Sequence, residues 1–330
     1  MRRRWILLAC IPPIAGCGSY STFTLPDPVG RRSPVSLRWV VEPRPVLEPE
    51  PGSWDAVDVL NPAVVNRGGA YFNFYSGFDG KTWHTGLATS ADGRHWTRRG
   101  KVLSPSGWEG ASIAANGAAL LVGGEFLYWY QAGDPPRVAL ARSPDGSKWT
   151  RHDAPVVGCG PRGSFDERGA ADPYVIRGGA HFFMYYLGQD RARRQRIGLA
   201  RSTDGVHWEK LKTSPVLGLG EAGAFDENGV GEPAVWTSHG SWWMLYTGRD
   251  RAEHRRIGVA RSRDGVRWDR IGPAAVFSGT EAWNSKVVCD PEVEATEAGM
   301  RVWFGGGDVA HPAENIHGRI GLATLHIEAR

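Results

Sequence analysis

Cysteine is scarce in this chain and never arranged as CxxC: of four, Cys10 and Cys17 lie near the N-terminus, leaving Cys159 and Cys289 for the folded part. A thiol redox motif or a cysteine zinc site is thereby excluded, and spacing alone does not decide whether the remaining two pair. HExxH, a Gly-rich phosphate loop and the GxSxG elbow are all missing, which removes the signatures of metal hydrolysis, nucleotide binding and serine hydrolysis. The net charge is only +4, with Lys and Arg scattered among acids, so there is no nucleic-acid footprint and no polybasic membrane patch. No apolar run is long enough to span a bilayer.

What is present in quantity is glycine, 44 residues, and tryptophan, 15, arranged as a repeat. SFDERGAADPYVIRGGAHFFMYYLG and AFDENGVGEPAVWTSHGSWWMLYTG each run aromatic, Asp, Glu, a Gly-containing turn, an acid before Pro, and an apolar strand ending in Gly. The acid follows the aromatic by seven residues: Phe165 to Asp172, Phe225 to Glu232. Trp54 to Asn61 and Trp283 to Asp290 keep that spacing, and a degraded copy at Trp108 carries one extra residue and leaves Asn116 as the counterpart.

A second motif alternates with the first, in GLATSADGRHW, VALARSPDGSKW, IGLARSTDGVHW and IGVARSRDGVRW. Its tryptophans, 96, 149, 208 and 268, recur every 53 to 60 residues, the size of a propeller blade. Asp-Gly between apolar strands predicts a tight hairpin with both central residues at positive φ. Each unit reads as an inner strand after the acid, a second strand, the Asp-Gly turn and an outer strand; the tryptophans are expected to wedge between blades. The last unit, GRIGLATLHIEAR, lacks its outer strand, and SLRWVVEPRPVL near the start resembles one. The expectation is an all-β, five-bladed β-propeller over residues 36–330, its ring closed by the N-terminal strand.

MRRRWILLACIPPIAGC has a basic start, a short apolar stretch interrupted by Pro12 and Pro13, and an Ile-Ala-Gly-Cys lipobox. Residues 1–17 are therefore read as a lipoprotein signal peptide with Cys17 as the acylated residue, and residues 18–35 as a tether. This places the protein in the bacterial cell envelope, extracytoplasmic and held to the membrane through Cys17, with secretion as the alternative. A monomer is expected, and no nucleic-acid partner.

In a propeller, one position per repeat faces the central channel from every blade. Those positions hold Asn61, Asn116, Asp172, Glu232 and Asp290: three carboxylates and two amides where core packing would place small apolar residues. Carboxylates gathered in a funnel suit glycosidic cleavage, one protonated to donate to the leaving oxygen and another ionised to activate water or attack the sugar. Crowding of like charges helps to keep the acid protonated.

These residues carry a resemblance to the five-bladed propeller glycosidases, the clan of glycoside hydrolase families 43, 32 and 68, over residues 36–327. The resemblance implies a base or nucleophile Asp on blade one, an orienting Asp on blade three and an acid Glu on blade four. Asp172-Pro173 and Glu232-Pro233 match the last two, so Glu232 is the expected general acid and Asp172 the orienter. Blade one departs, with Asn61-Pro62 where the base should be. Asp58, lacking an acidic counterpart in repeats three and four, is the preferred base, with Asp290 as the other candidate. Asn61-Pro62 also resembles the family 130 glycoside phosphorylases, in which phosphate replaces water. Matched Arg196 and Arg256, in GQDRARRQRIG and GRDRAEHRRIG, with Lys286 and His317, would then bind phosphate. The implied partner is a carbohydrate substrate, with Asn61, Asn116, Asp290, Trp83, His84, Arg196 and Arg256 as binding residues; Trp83 or His84 would stack on a sugar face. The implied reaction is hydrolysis with inversion. The alternatives are phosphorolysis and a lipoprotein that binds glycans without cleaving them. No cofactor or metal is required; a structural cation in the channel is left open.

Overall fold

A computed structural model describes residues 19–329, apart from Pro273 and Ala298. Its strand pairings fall into five antiparallel groups of a propeller. Blade one runs Asp58–Leu60 with Val64–Arg67, Ala70–Phe78, Trp83–Ser90 and Thr97–Leu103. Blade two runs Ala114–Val122, Glu125–Ala132, Arg137–Ser143 and Thr150–Arg151. Blade three runs Gly169–Gly178, His181–Gln189, Gln195–Ser202 and Glu209–Leu211. Blade four runs Gly229–Ser238, Ser241–Arg249, Arg255–Ser262 and Trp268–Arg270. Blade five runs Val287–Thr296, Gly299–Gly307 and Arg319–Ala329, and its outer strand is Val35–Val41 from the other end of the chain. The expected ring closure is therefore a paired seam from Val35 opposite Ala329 to Val41 opposite Ala323.

Two local expectations change. The stretch between acid and Asp-Gly turn folds into three strands, so a blade has four, and the acid sits inside the innermost strand. In the Asp-Gly turns only the glycine takes positive φ, 71° at Gly93 and 78° at Gly205. The reason is side-chain capping: Asp92 accepts the amides of Arg94 and His95, and Ser90 accepts those of Asp92 and Gly93, which makes a longer turn than a two-residue hairpin.

The aromatic that opens each repeat lies across two glycines of its own blade. A Cβ on Gly188 or Gly198 would come within 2.3 and 2.5 Å of the Phe165 ring, and Gly248 and Gly258 stand in the same relation to Phe225. The turn tryptophans pack on the preceding blade, as expected of wedges: Trp208 against Trp129 at 6.2 Å and Trp268 against Tyr185 at 5.9 Å. Beneath four of the five aromatics a buried acid is held by a tyrosine and a cation, as Asp166 is by Tyr186 at 2.9 Å and Lys210 at 2.6 Å, and in blade five Asn284 takes the acid's place.

Residues 19–35 are not a free tether along their length. Ser19–Ser21 pairs in parallel with Glu209–Leu211, and Phe23 and Leu25 are buried between blades three and four. Two apolar side chains in an otherwise polar segment are enough to seat it on the domain.

Candidate functional site

Asn61, Asn116, Asp172, Glu232 and Asp290 have φ of 48°, 52°, 42°, 49° and 49°. In blades two to five a register shift in the innermost strand falls at this residue, and in blade one the strand breaks there. A left-handed bulge takes the residue out of the alternation of the sheet and turns its side chain toward the axis. Asn and Asp tolerate this backbone better than Glu, so Glu232 is the most strained of the five.

The five converge. All line one cleft of about 310 Å³, and all line a narrower pocket of about 30 Å³ shared with Pro62, Pro173, Pro233 and Pro291, so they form a floor between the two. Backbone and side chain are interlinked around this hub. The Asn61 amide donates to Asp290 Oδ2 at 3.3 Å, and the Asp290 amide donates to Glu232 Oε2 and Thr247 Oγ1, both at 3.2 Å. Asn116 is locked to Ser76 in both directions.

The electrostatics follow from burying three carboxyls together. Burial, then the charge of Glu232, pushes Asp172 up to about 7, against an Asn116 hydrogen bond and Arg255. Burial, then Glu232 and Asp172, lifts Asp290 well above the usual carboxylate range. Burial pulls Arg255 down, but Cys289, Glu232 and Asp290 hold it above its ordinary value. The hub thus keeps protons near neutral pH, and two arginines, Arg249 and Arg255, line the cleft beside it. Asp172 Oδ1 is buried and, among the described residues, has no hydrogen-bond partner, an acceptor left for a donor from outside.

Glu232, Cys289 and Asp290 bring donor atoms within 4.8 Å of one another, a set that could hold a divalent cation. Arg255 bonds Cys289 there, and Cys289 donates to Asp290 Oδ2 at 3.2 Å. Cys159 and Cys289 are unpaired thiols.

Four expected residues are placed elsewhere. Asp58 is fully buried and accepts the Gly318 and Asn315 amides at 2.7 and 2.6 Å; it does not line the cleft and is no base. Its carboxylate is spent on the loop 308–318 of blade five. Trp83 lines the cleft, stacked on Phe78 at 4.9 Å, but His84 is turned into the blade toward Asp79 at 3.2 Å. Arg196 and Arg256 reach Asp190 and Asp250 at 2.9 and 3.1 Å, outside the cleft lining. Alternation explains all three: Trp83, Gln195 and Arg255 each open the third strand of their blade and face the cleft, and the next residue faces away. Lys286 and His317 do not line the cleft either. Cys17 and the signal peptide lie outside the described residues. Residues not foreseen are Arg249, Arg255, Gln195 and Glu314; Gln195 and Arg255 each stand one place before an arginine that was expected, and Glu314 has no counterpart in other repeats.

Residues 62–276 match the model of the glycosyl hydrolases family 32 N-terminal domain. The chain belongs to that family. The family 32 match begins one residue after Asn61, the position at which blade one departs from the clan. Among curated proteins, the uncharacterized protein Rv1502 of Mycobacterium tuberculosis is 27% identical over 229 residues, 63% of this chain and 75% of its own. Solved structures share the fold at low identity. One is from the GH130 family of mannoside phosphorylases, which contains glycoside hydrolases that target β-1,2 mannosidic linkages in Candida mannan. It has a TM-score of 0.70 at 18% identity, over 94% of this chain and 99% of its own. The Bombyx mori GH32 β-fructofuranosidase BmSUC1 has 0.62 at 18%, over 86% and 62%. The family 32 chain is a glycoside hydrolase, and the phosphorylase reading is not favoured: the two arginines it called on are paired off outside the cleft.

Proposed function

We propose that the cleft cleaves the glycosidic bond of a carbohydrate with inversion, Glu232 donating the proton to the leaving oxygen. The observation that carries this is the convergence of five left-handed bulge residues, three of them acids, on one cleft. Three carboxyls packed together retain a proton near neutral pH, the requirement for a general acid. Glu232 has the longest side chain of the three and is the clan's acid by blade order; its Oε2 is fixed by the Asp290 amide. Asp172, pushed up to about 7 beside it, offers its buried Oδ1 to a sugar hydroxyl. Trp83 supplies an apolar face for a ring.

A panel of 4-nitrophenyl arabinofuranosides, xylosides, galactofuranosides and mannosides, with sucrose for fructose, tests the reading. Turnover of one class with the product first seen by NMR as the opposite anomer is expected. Binding without cleavage across the panel would favour the glycan-binding alternative.

For residues 1–18 the support is sequence alone. We propose lipidation at Cys17; Ser19, two residues on, is already paired to blade three, so the anchor would hold the domain close to the membrane. Metabolic labelling with a palmitate analogue, lost in Cys17→Ser, is the expected outcome.

A further inference from the structure

Cys289 is a buried thiol that the cleavage described above does not use, and Asp290 is the hub carboxyl still without a role. The two are neighbours in the innermost strand of blade five, where successive side chains would ordinarily point to opposite faces. The bulge at Asp290, with its φ of 49°, removes that opposition, and the Cys289 thiol donates to Asp290 Oδ2 at 3.2 Å. In the other four blades the residue before the hub position is Leu60, Ala115, Ala171 or Gly231, none with a side chain that can donate.

Asp290 Oδ2 has a second donor, the backbone amide of Asn61 in blade one, at 3.3 Å. Packing closes this oxygen in. A Cβ on Gly305, the cross-strand partner of Cys289, would come within 2.8 Å of Oδ2 and 2.9 Å of the Cys289 sulfur. On the other side, the Asp290 backbone amide donates to Glu232 Oε2 and to Thr247 Oγ1, both at 3.2 Å. Side-chain donor atoms of Glu232, Cys289 and Asp290 all lie within 4.8 Å of one another. One residue therefore links blade one, blade four and its own blade, and whatever fixes its side chain also fixes the amide against which Glu232 rests.

Resting on the hydrolase reading above, we infer that Asp290 is a positioning residue for Glu232, itself held in place by the Cys289 thiol and the Asn61 amide, and is neither base nor nucleophile. When Glu232 passes its proton to the leaving oxygen, the charge left behind falls on a carboxyl that the Asp290 amide already holds at Oε2. Asp290→Asn preserves this arrangement, because asparagine keeps the backbone amide and one side-chain oxygen for both donors. Asp290→Ala removes the acceptor and frees the bulge to turn.

The probes are the 4-nitrophenyl glycoside that the wild-type chain cleaves fastest in the panel and its 2,4-dinitrophenyl analogue, whose leaving group departs without a proton. Asp290→Ala is expected to lose about 10²-fold in kcat on the first, with KM within about threefold, and less than about tenfold on the second, because only the first needs an aligned acid. Asp290→Asn should keep more than about a tenth of the wild-type kcat on both. Cys289→Ala should lose about tenfold on the first glycoside alone, and Cys289→Ser, which retains a donor, should recover most of that loss. A merely structural defect would slow both glycosides alike. Equal losses on the two by Asp290→Ala, no loss by it, or less than about a tenth of kcat kept by Asp290→Asn overturns the role given to Asp290 and leaves the hydrolase reading standing. Cys289→Ser no better than Cys289→Ala overturns the part given to the thiol. No turnover of either glycoside by the wild type overturns the hydrolase reading, and the role of Asp290 with it.

Discussion

At the scale of single residues, the acids of the hub trade stability for chemistry. Asp172 ionises near 7 in the folded chain and near 3.8 when unfolded. Between those values unfolding releases a proton, so its contribution falls as pH rises from about 4 to about 7 and is constant above. Asp172→Asn is therefore expected to leave the thermal midpoint unchanged at pH 3 and raise it at pH 8. The gain is at most about 4 kcal/mol, read by scanning calorimetry at both values, while turnover drops. Asp58 behaves in the opposite sense. Asp58→Asn replaces an acceptor of two buried amides and should destabilise the fold by about 1–3 kcal/mol in urea melts. Faster hydrogen exchange at residues 311–318 should accompany it.

At the scale of elements, the glycines near the end of the second strand and within the third, Gly188 and Gly198 in blade three, leave room for an aromatic ring. Gly188→Ala would drive a methyl into Phe165, and with no room to give it should cost about 1–3 kcal/mol. A urea midpoint lowered to that extent, and restored in part by Phe165→Leu, checks it. The same repeat explains how far the site was legible in the sequence. The hub residues could be read because aromatic, acid and proline recur at one spacing, and even Asn116, shifted by an extra residue, lands at the same φ as its counterparts. Side-chain parity in the third strand could not: the repeats do not fix where a strand starts to within one residue, and an error of one exchanges Trp83 for His84, Gln195 for Arg196 and Arg255 for Arg256. Asp58 stood out for having no counterpart, and that singularity is real, but its cause is the blade five loop, itself without counterpart. A repeat reports what blades share and is silent on what one of them adds.

At the scale of the molecule, closure joins the two ends of the chain, and the seam is where the ring is most open to damage. Removing residues 19–41 would strip Leu37, Trp39 and Val41 from the blade five cluster and expose the edge of Arg319–Ala329. Loss of the full-length chain's peak in size-exclusion chromatography, with aggregation through the bared edge, is expected. The ring also accounts for the charge arrangement, since acids separated by some sixty residues along the chain meet only because the blades close. Everything proposed about the site follows from that meeting at a common floor. The most direct test is the rate at which the wild-type chain and Glu232→Gln cleave the preferred 4-nitrophenyl glycoside. A wild-type rate at least about 100 times that of the variant, with both equally folded, is the result predicted; equal rates in the two would contradict it.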